Sequence, residues 1–509
     1  MKNFLSFLFF VFIIFEINAQ TQQLDVIKLK CFGGNNFDYS YTYSTASDSS
    51  FCIGGATLSP DGDMYSIGQD SNQNAFVLFV DTSLNAFKKV IWGGEDIDNV
   101  NNILQVSDTS FFILFESKSQ TGEYVGAYGG YDIYLRSYFI KQNWLSPILR
   151  YGGSGDDKPN VIRKKNVNGY LIGGSTYSND GDFNNNFGGK DCFVINLTSN
   201  YQIAWAKNYG GSLNEEIVDV FQLNDGNIMF FGITKSTDQM VHSNKGGRDV
   251  WIVKLNSMGD TIWTKCLGGS GDDYVLSVKK LENENFMIVG CSYSQNGDFY
   301  FVKNNKKITN FFGYYYVINS SGQFQYGAAL GEPNKNVIFS DAIVENNGVA
   351  NFWGIKSENP YFAEFNNNFY VYDKEILLQN SEGEIANCIS LGDFYYTITN
   401  TLTDTIPSYH AGVEVLILKT KKIVATSMQD IKSFKIDIFP NPASDYVYIQ
   451  NYDYFTDCHY SIYDISGKKR LKGKIKNNQI NIKDLAPGTY LLSIDKGNIR
   501  YAHGLVKCQ

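Results

Sequence analysis

Short apolar runs, often alternating with polar positions, recur along the whole chain between clusters of Gly, Asn, Asp and Ser. That period predicts strands joined by tight turns, and stretches with sustained helical spacing are missing. An aromatic or apolar residue followed by Gly-Gly returns at Phe32, Trp92, Tyr151, Tyr209 and Leu267, at intervals of 60, 59, 58 and 58 residues. A weaker copy begins at Leu330-Gly331. The unit from Tyr151 to Asn208 reads most clearly. The turn GGSGDD (152–157) leads to a strand around Val161 to Lys165, and Asn168-Gly169 turns into a second at 170–177. The polar loop 178–191 precedes a third strand at 192–197 and a fourth at 201–209. Four strands with hairpin-length connections make one antiparallel sheet, which cannot bury both faces alone; radial stacking of such sheets is a β-propeller.

Fourth strands fall near 24–31, 86–92, 145–151, 201–209, 260–267, 322–330 and 369–379, which predicts seven blades. Six or eight remain open, because the sixth and seventh units are degenerate. The last repeat supplies only three strands, near 385–391, 393–400 and 413–420, so the orphan strand at 24–31 is expected to complete it and close the ring. The expected fold class is all-β: a propeller over 20–425, a linker at 426–433 and a small Ig-like β-sandwich over 434–509. Residues 1–19 read as a signal peptide, with Lys2, an apolar run from Phe4 to Phe15, and Ala19 at the cleavage position. No other stretch is long and apolar enough to span a membrane.

The C-terminal strands carry three ordered motifs: Phe439-Pro440-Asn441-Pro442-Ala443, then Tyr463-Asp464-Ile465-Ser466-Gly467-Lys468, then Leu485-Ala486-Pro487-Gly488-Thr489-Tyr490. Together they resemble the type A sorting domain of type IX secretion. The resemblance implies inner-membrane passage by the signal peptide, engagement of the type IX machinery, and release outside the cell or fixation to its surface. The Gly-Gly units are similar to propeller repeats of exported Bacteroidetes proteins, a likeness that says little about activity.

Composition narrows the function classes. A net charge of -9 with no basic stripe argues against nucleic acid as a partner. The eight cysteines are scattered without a CxxC pair, so a zinc site is not expected, and most sit in apolar strand segments where thiols behave as small hydrophobes. Four histidines, and no HExxH, GxSxG or phosphate-cradling loop, leave no catalytic constellation.

Two loop families would meet at one end of a propeller, and both are acidic. A carboxylate stands six positions after the aromatic of each Gly-Gly, at Asp38, Asp98, Asp157, Glu215 and Asp273. These predict a ring at the channel mouth that holds Ca²⁺ or draws in a cationic or polyhydroxylated ligand, unless each accepts backbone N–H groups in its own turn or latches adjacent blades. The second family has Asp-Gly-Asp loops, and Asp180, Asp182 and Asp191 are its best calcium candidates. The expected function is an exported, non-catalytic binding protein for a glycan, a protein or another envelope component. The alternative is a glycoside hydrolase-like enzyme with carboxylates at the propeller mouth.

Overall fold

The computed structural model describes residues 26–47, 49–65, 72–302, 310–345, 349–357, 359–366, 369–375, 387–401, 413–421, 438–439, 443–449, 455, 458–464, 468–475, 479–496 and 499–508. The signal-peptide segment, the linker at 426–433, and Pro440, Asn441, Pro442 and Gly467 lie outside them.

Nearly all regular structure is strand, with short 3-10 segments such as Gly62–Met64 between strands. In the third unit the strands are Asp157–Lys164, Tyr170–Thr176, Asp191–Leu197 and Ile203–Tyr209, paired antiparallel in chain order. The second strand, flanked on both edges, is buried along its whole length, whereas the fourth is half exposed. Equivalent sheets are built from 38–92, 98–151, 215–267, 273–330 and 337–375. A seventh comes from Asn387–Leu391, Phe394–Thr401 and Glu414–Lys421, to which the N-terminal strand Val26–Phe32 adds as the fourth. First strands bend at a bulge, as between Pro159 and Val161 or Ile217 and Asp219.

Apolar clusters fill the space between consecutive sheets. Phe112, Leu114 and Ile133 of the second sheet meet Ile162, Ile172 and Phe193 of the third. Phe51, Phe76 and Leu78 of the first sheet meet Ile398, Val415 and Ile417 of the seventh. Burial of each such side chain stabilises by about 1.5–3 kcal/mol, so consecutive sheets hold one another as layers of one core.

The strands within 438–507 form one further sheet and an extension of the fifth, around their own core of Ile438, Val447, Ile462, Ile480, Leu492, Ile494 and Leu505. The further sheet joins Ile438–Phe439, Tyr446–Ile449 and Gln479–Asn481; the extension joins His459–Asp464, Lys469–Lys474, Gly488–Lys496 and Ile499–Lys507. The last strand also pairs with Phe324–Leu330, the fourth strand of the fifth sheet.

Candidate binding face

Each of the five repeated carboxylates opens the first strand of its sheet, and each is at most 1% exposed. Their oxygens are taken up by the local turn, apart from Asp98 Oδ1, which is buried without a hydrogen-bond partner. Glu215 accepts the Gly211 N–H at 2.7 Å and the hydroxyls of Thr234 at 2.7 Å and Ser236 at 2.8 Å. Asp157 accepts from Gly153, Thr176 and Ser178; Asp273 from Gly269, Ser292 and Ser294; Asp38 from Gly34, Thr57 and Ser59. Asp98 accepts from Gly94 and Ser119. The hydroxyl donors come from Ser/Thr-x-Ser at the end of the second strand, always 19 and 21 positions after the carboxylate. That spacing was available in the sequence and went unused.

A second lock joins each sheet to the one before. The N–H of the carboxylate residue donates to the carbonyl of the residue preceding the previous sheet's third strand: Asp98 to Gln73, Asp157 to Tyr131, Glu215 to Lys190, Asp273 to Arg248. In return, Asp156, Asn214 and Asp272 accept the N–H of Tyr131, Lys190 and Arg248.

The third strands open on buried acids as well: Asp132, Asp191 and Asp249, with Asn74 in the first sheet. One oxygen of each of these three carboxylates is buried without a hydrogen-bond partner. The first Gly of the following turn is wedged between the two carboxylates of a junction. A Cβ on Gly210 would stand 2.1 Å from Asp191 Oδ1 and 2.7 Å from Glu215 Oε2, which is why no side chain fits there. Burial is the main cause that pushes Asp191 and Asp249 up to about 7, and Asp98, Asp132, Asp157 and Asp273 up to about 6.

The Asp-Gly-Asp loops clamp the Gly-Gly turn of their own sheet. Asp180 Oδ1 accepts the Ser154 N–H at 2.7 Å and Asp182 Oδ2 the Gly152 N–H at 3.0 Å, while Asp191 accepts from Phe187. Asp180 and Asp182 are therefore engaged by the Gly152–Ser154 turn, and Asp191 by a different one at Phe187. Among the described residues no group of three or more His, Cys, Asp or Glu side chains is placed to hold a metal ion.

What varies from sheet to sheet is the pair of side chains above each junction. The residue before the third strand meets the residue after the next carboxylate: Gln73 with Asn99, Tyr131 under the Lys158 ammonium at 3.9 Å, Lys190 with Glu216 at 2.6 Å, Arg248 with the Tyr274 hydroxyl at 2.7 Å. Amide, cation–π, ion-pair and phenol contacts thus occupy equivalent places. On the first sheet Phe37, Tyr39 and Tyr41 stack in a ladder with centroids 6.3 and 6.2 Å apart. Deeper along the first strands, Asp341 is buried against Lys279 at 2.5 Å and Ser277 at 2.9 Å and accepts from Tyr43, while Arg163 grips Asp219 bidentately at 2.9 and 2.6 Å. Apart from Glu216, an acid next to the repeated carboxylate, sequence reading missed these side chains.

Comparison with known proteins separates the two ends of the chain. Residues 437–507 match the family described as secretion system C-terminal sorting domain. That match indicates export through the type IX system, to the medium or the cell surface. Of the motif residues within the described part, Tyr490 is nearly buried and donates its hydroxyl to the Ala486 carbonyl at 2.7 Å, pinning the Pro487-Gly488 turn that Leu485 anchors in the core. Phe439 lies in the strand Ile438–Phe439. No helix among the described residues is long and apolar enough to cross a membrane.

No curated protein matches the chain. Among solved structures, the β-propeller domain of the Trilobed protease from Pyrococcus furiosus aligns at 8% identity and TM-score 0.41, over 78% of this chain and 100% of that one. Polysaccharide lyase Uly1 aligns at 7% identity and TM-score 0.42, over 79% and 100%. The WD40 domain of Toxoplasma gondii coronin aligns at 7% and 0.42, over 81% and 90%. Likenesses this distant have no bearing on activity or substrate.

Proposed function

We propose that this chain is an exported, non-catalytic binding protein of a Bacteroidetes-type cell. In this reading the seven sheets are blades of a β-propeller over residues 20–425, whose ring is closed by the pairing of Val26–Phe32 with Glu414–Lys421. Residues 1–19 act as a signal peptide, 426–433 as a linker, and 434–509 as an Ig-like sandwich that engages the type IX machinery. The propeller engages a glycan, a protein or another envelope component through the face that carries the Gly-Gly turns.

One observation carries the reading. The positions that repeat are consumed in holding turns and junctions, while the side chains above them differ at every junction. Repetition suits scaffolding, and variation at equivalent places suits recognition of one particular ligand. The rival is a polysaccharide-acting enzyme, which needs two carboxylates able to reach the scissile bond. The aspartates with raised pKa values at the sheet junctions are buried beneath turns instead, whereas Glu364, raised to about 7 by burial and the Glu345 charge, is partly buried within the strand Asn359–Asn366.

The test is to incubate the purified full chain with a panel of cell-wall and algal polysaccharides, following retention on the polymer and the appearance of new chain ends together. Retention without new ends is the expected outcome. Release of new ends, by hydrolysis or elimination, would replace this reading with the enzymatic one.

A further inference from the structure

A cavity of about 200 Å³ opens between the third, fourth and fifth sheets, above the Glu215 turn. Its walls carry Lys190, Lys235, Arg248, Glu216, Tyr274 and Asn214. In a chain with a net charge of -9, three cations converge here against one partly exposed carboxylate, Glu216. The other carboxylate in the lining, Glu215, is spent on Gly211, Thr234 and Ser236. Lys190 is paired with Glu216 at 2.6 Å. Arg248 donates to the Tyr274 hydroxyl at 2.7 Å and meets Asp272 at 3.5 Å, outside the lining. Lys235 enters no ion pair among the described residues.

We propose that this cavity takes a negatively charged sugar residue of an acidic polysaccharide. The proposal rests on the binding-protein reading above and names its ligand class. Arg248 offers a planar fork that suits a carboxylate or sulfate, and Lys235 adds a point charge across the cavity. The half-buried Tyr274 ring, with the Arg248 guanidinium 5.4 Å from its centroid, supplies an aromatic wall next to those cations, and the Asn214 side chain, exposed at the rim, offers its amide N–H groups to ring hydroxyls while its Oδ1 holds the Lys190 N–H. A volume this small suits one sugar ring, and neighbouring residues of the polymer would run over the junction pairs on either side. An acidic peptide would satisfy the cations but would leave the aromatic wall without a matching flat partner. The repeated carboxylates Asp157, Glu215 and Asp273 do not oppose an anion, because they are buried and face their own turns, and the exposed Asp180 and Asp238 are engaged by the N–H groups of Ser154 and Ser212.

The experiment measures binding of the full-length chain to a galacturonic acid hexamer, its fully methyl-esterified form, a sulfated galactan oligomer of similar length and a polyglutamate peptide, by calorimetry at low and high salt. The expected result is salt-sensitive binding of the free acid or the sulfated oligomer. The methyl ester should be weaker by about tenfold or more, as the loss of charge-assisted hydrogen bonds implies. Which of the two anions binds better identifies the charged group. Arg248→Gln and Lys235→Gln should each reproduce that loss; Lys235→Gln should also leave the melting temperature unchanged, because among the described residues Lys235 has no ion pair to lose, so this variant keeps the test meaningful if Arg248→Gln, which gives up the Tyr274 and Asp272 contacts, lowers it. Equal binding of acid and ester, or preference for polyglutamate, overturns the inference while leaving a binding protein. No binding to any probe also overturns it. Cleavage of an oligomer overturns the underlying reading as well.

Discussion

Replacing Asp191 by asparagine should make the protein more stable at alkaline pH and leave it unchanged in mild acid. Asp191 is fully buried, one of its oxygens has no hydrogen-bond partner, and Glu215 lies across Gly210 from it. Burial, and secondarily the Glu215 charge, lift its pKa to about 7 from an ordinary 3.8. The folded chain therefore holds the proton more tightly than the unfolded one. The stabilisation that follows is complete below about pH 4 and is lost as pH rises through 7. At about 1.4 kcal/mol per unit the shift amounts to roughly 4 kcal/mol, and about 2 kcal/mol after allowing for solvent screening near the loop surface. An asparagine supplies the neutral form at every pH. Asn74 already does so at the equivalent place in the first sheet, where its Oδ1 stands 2.2 Å from the Cβ position of Gly93. The assay is thermal unfolding of the full chain and the Asp191→Asn variant from pH 4.5 to 8.5. The two should melt together at the acid end and diverge by a few degrees at the alkaline end, with the variant higher. A variant that melts below the parent by the same margin at every pH would show that Asp191 works as a carboxylate, and the reasoning would fall.

Three further outcomes follow from the same geometry. Gly210→Ala should destabilise by about 2 kcal/mol or more in chemical denaturation, because its Cβ would strike the Asp191–Glu215 pair. Gly226→Ala, where nothing lies within 4 Å and φ is +84°, should cost only about 1 kcal/mol; equal costs would contradict the wedge. An aromatic disulfide reagent should find one fast thiol, Cys508, in the native chain and all eight after denaturation, since the other seven are buried and burial pushes Cys266 and Cys291 up to about 12. Removing residues 20–32 should leave Glu414–Lys421 as an open edge and shift the protein toward larger aggregates in gel filtration; a monodisperse, equally stable product would refute the role given to that strand.

The parts of the molecule that were legible in the sequence are those where one physical demand sets the residue type. Strands at 170–177, 192–197 and 201–209 were read almost to the residue, because they are central or half-buried and their apolar runs answer to burial alone. The first strand was expected to start at Val161 but starts at Asp157, since a buried carboxylate, which looks like loop, is the residue that begins it. The same ambiguity governed the site. A recurring Asp six positions after an aromatic is equally consistent with a solvent-facing ring and with an inward lock, and only its acceptor geometry separates them. The Ser/Thr-x-Ser partners 19 and 21 positions on would have favoured the lock, because hydroxyls held at a constant offset from an acid imply a shared contact. The junction pairs were invisible for the opposite reason. Tyr131, Lys190 and Arg248 have no common chemistry, so a search for repetition passes over them. In a chain built from repeats, the search for a ligand site belongs at positions that are equivalent in space and unlike in kind. The Lys190, Lys235 and Arg248 cavity lies at such positions.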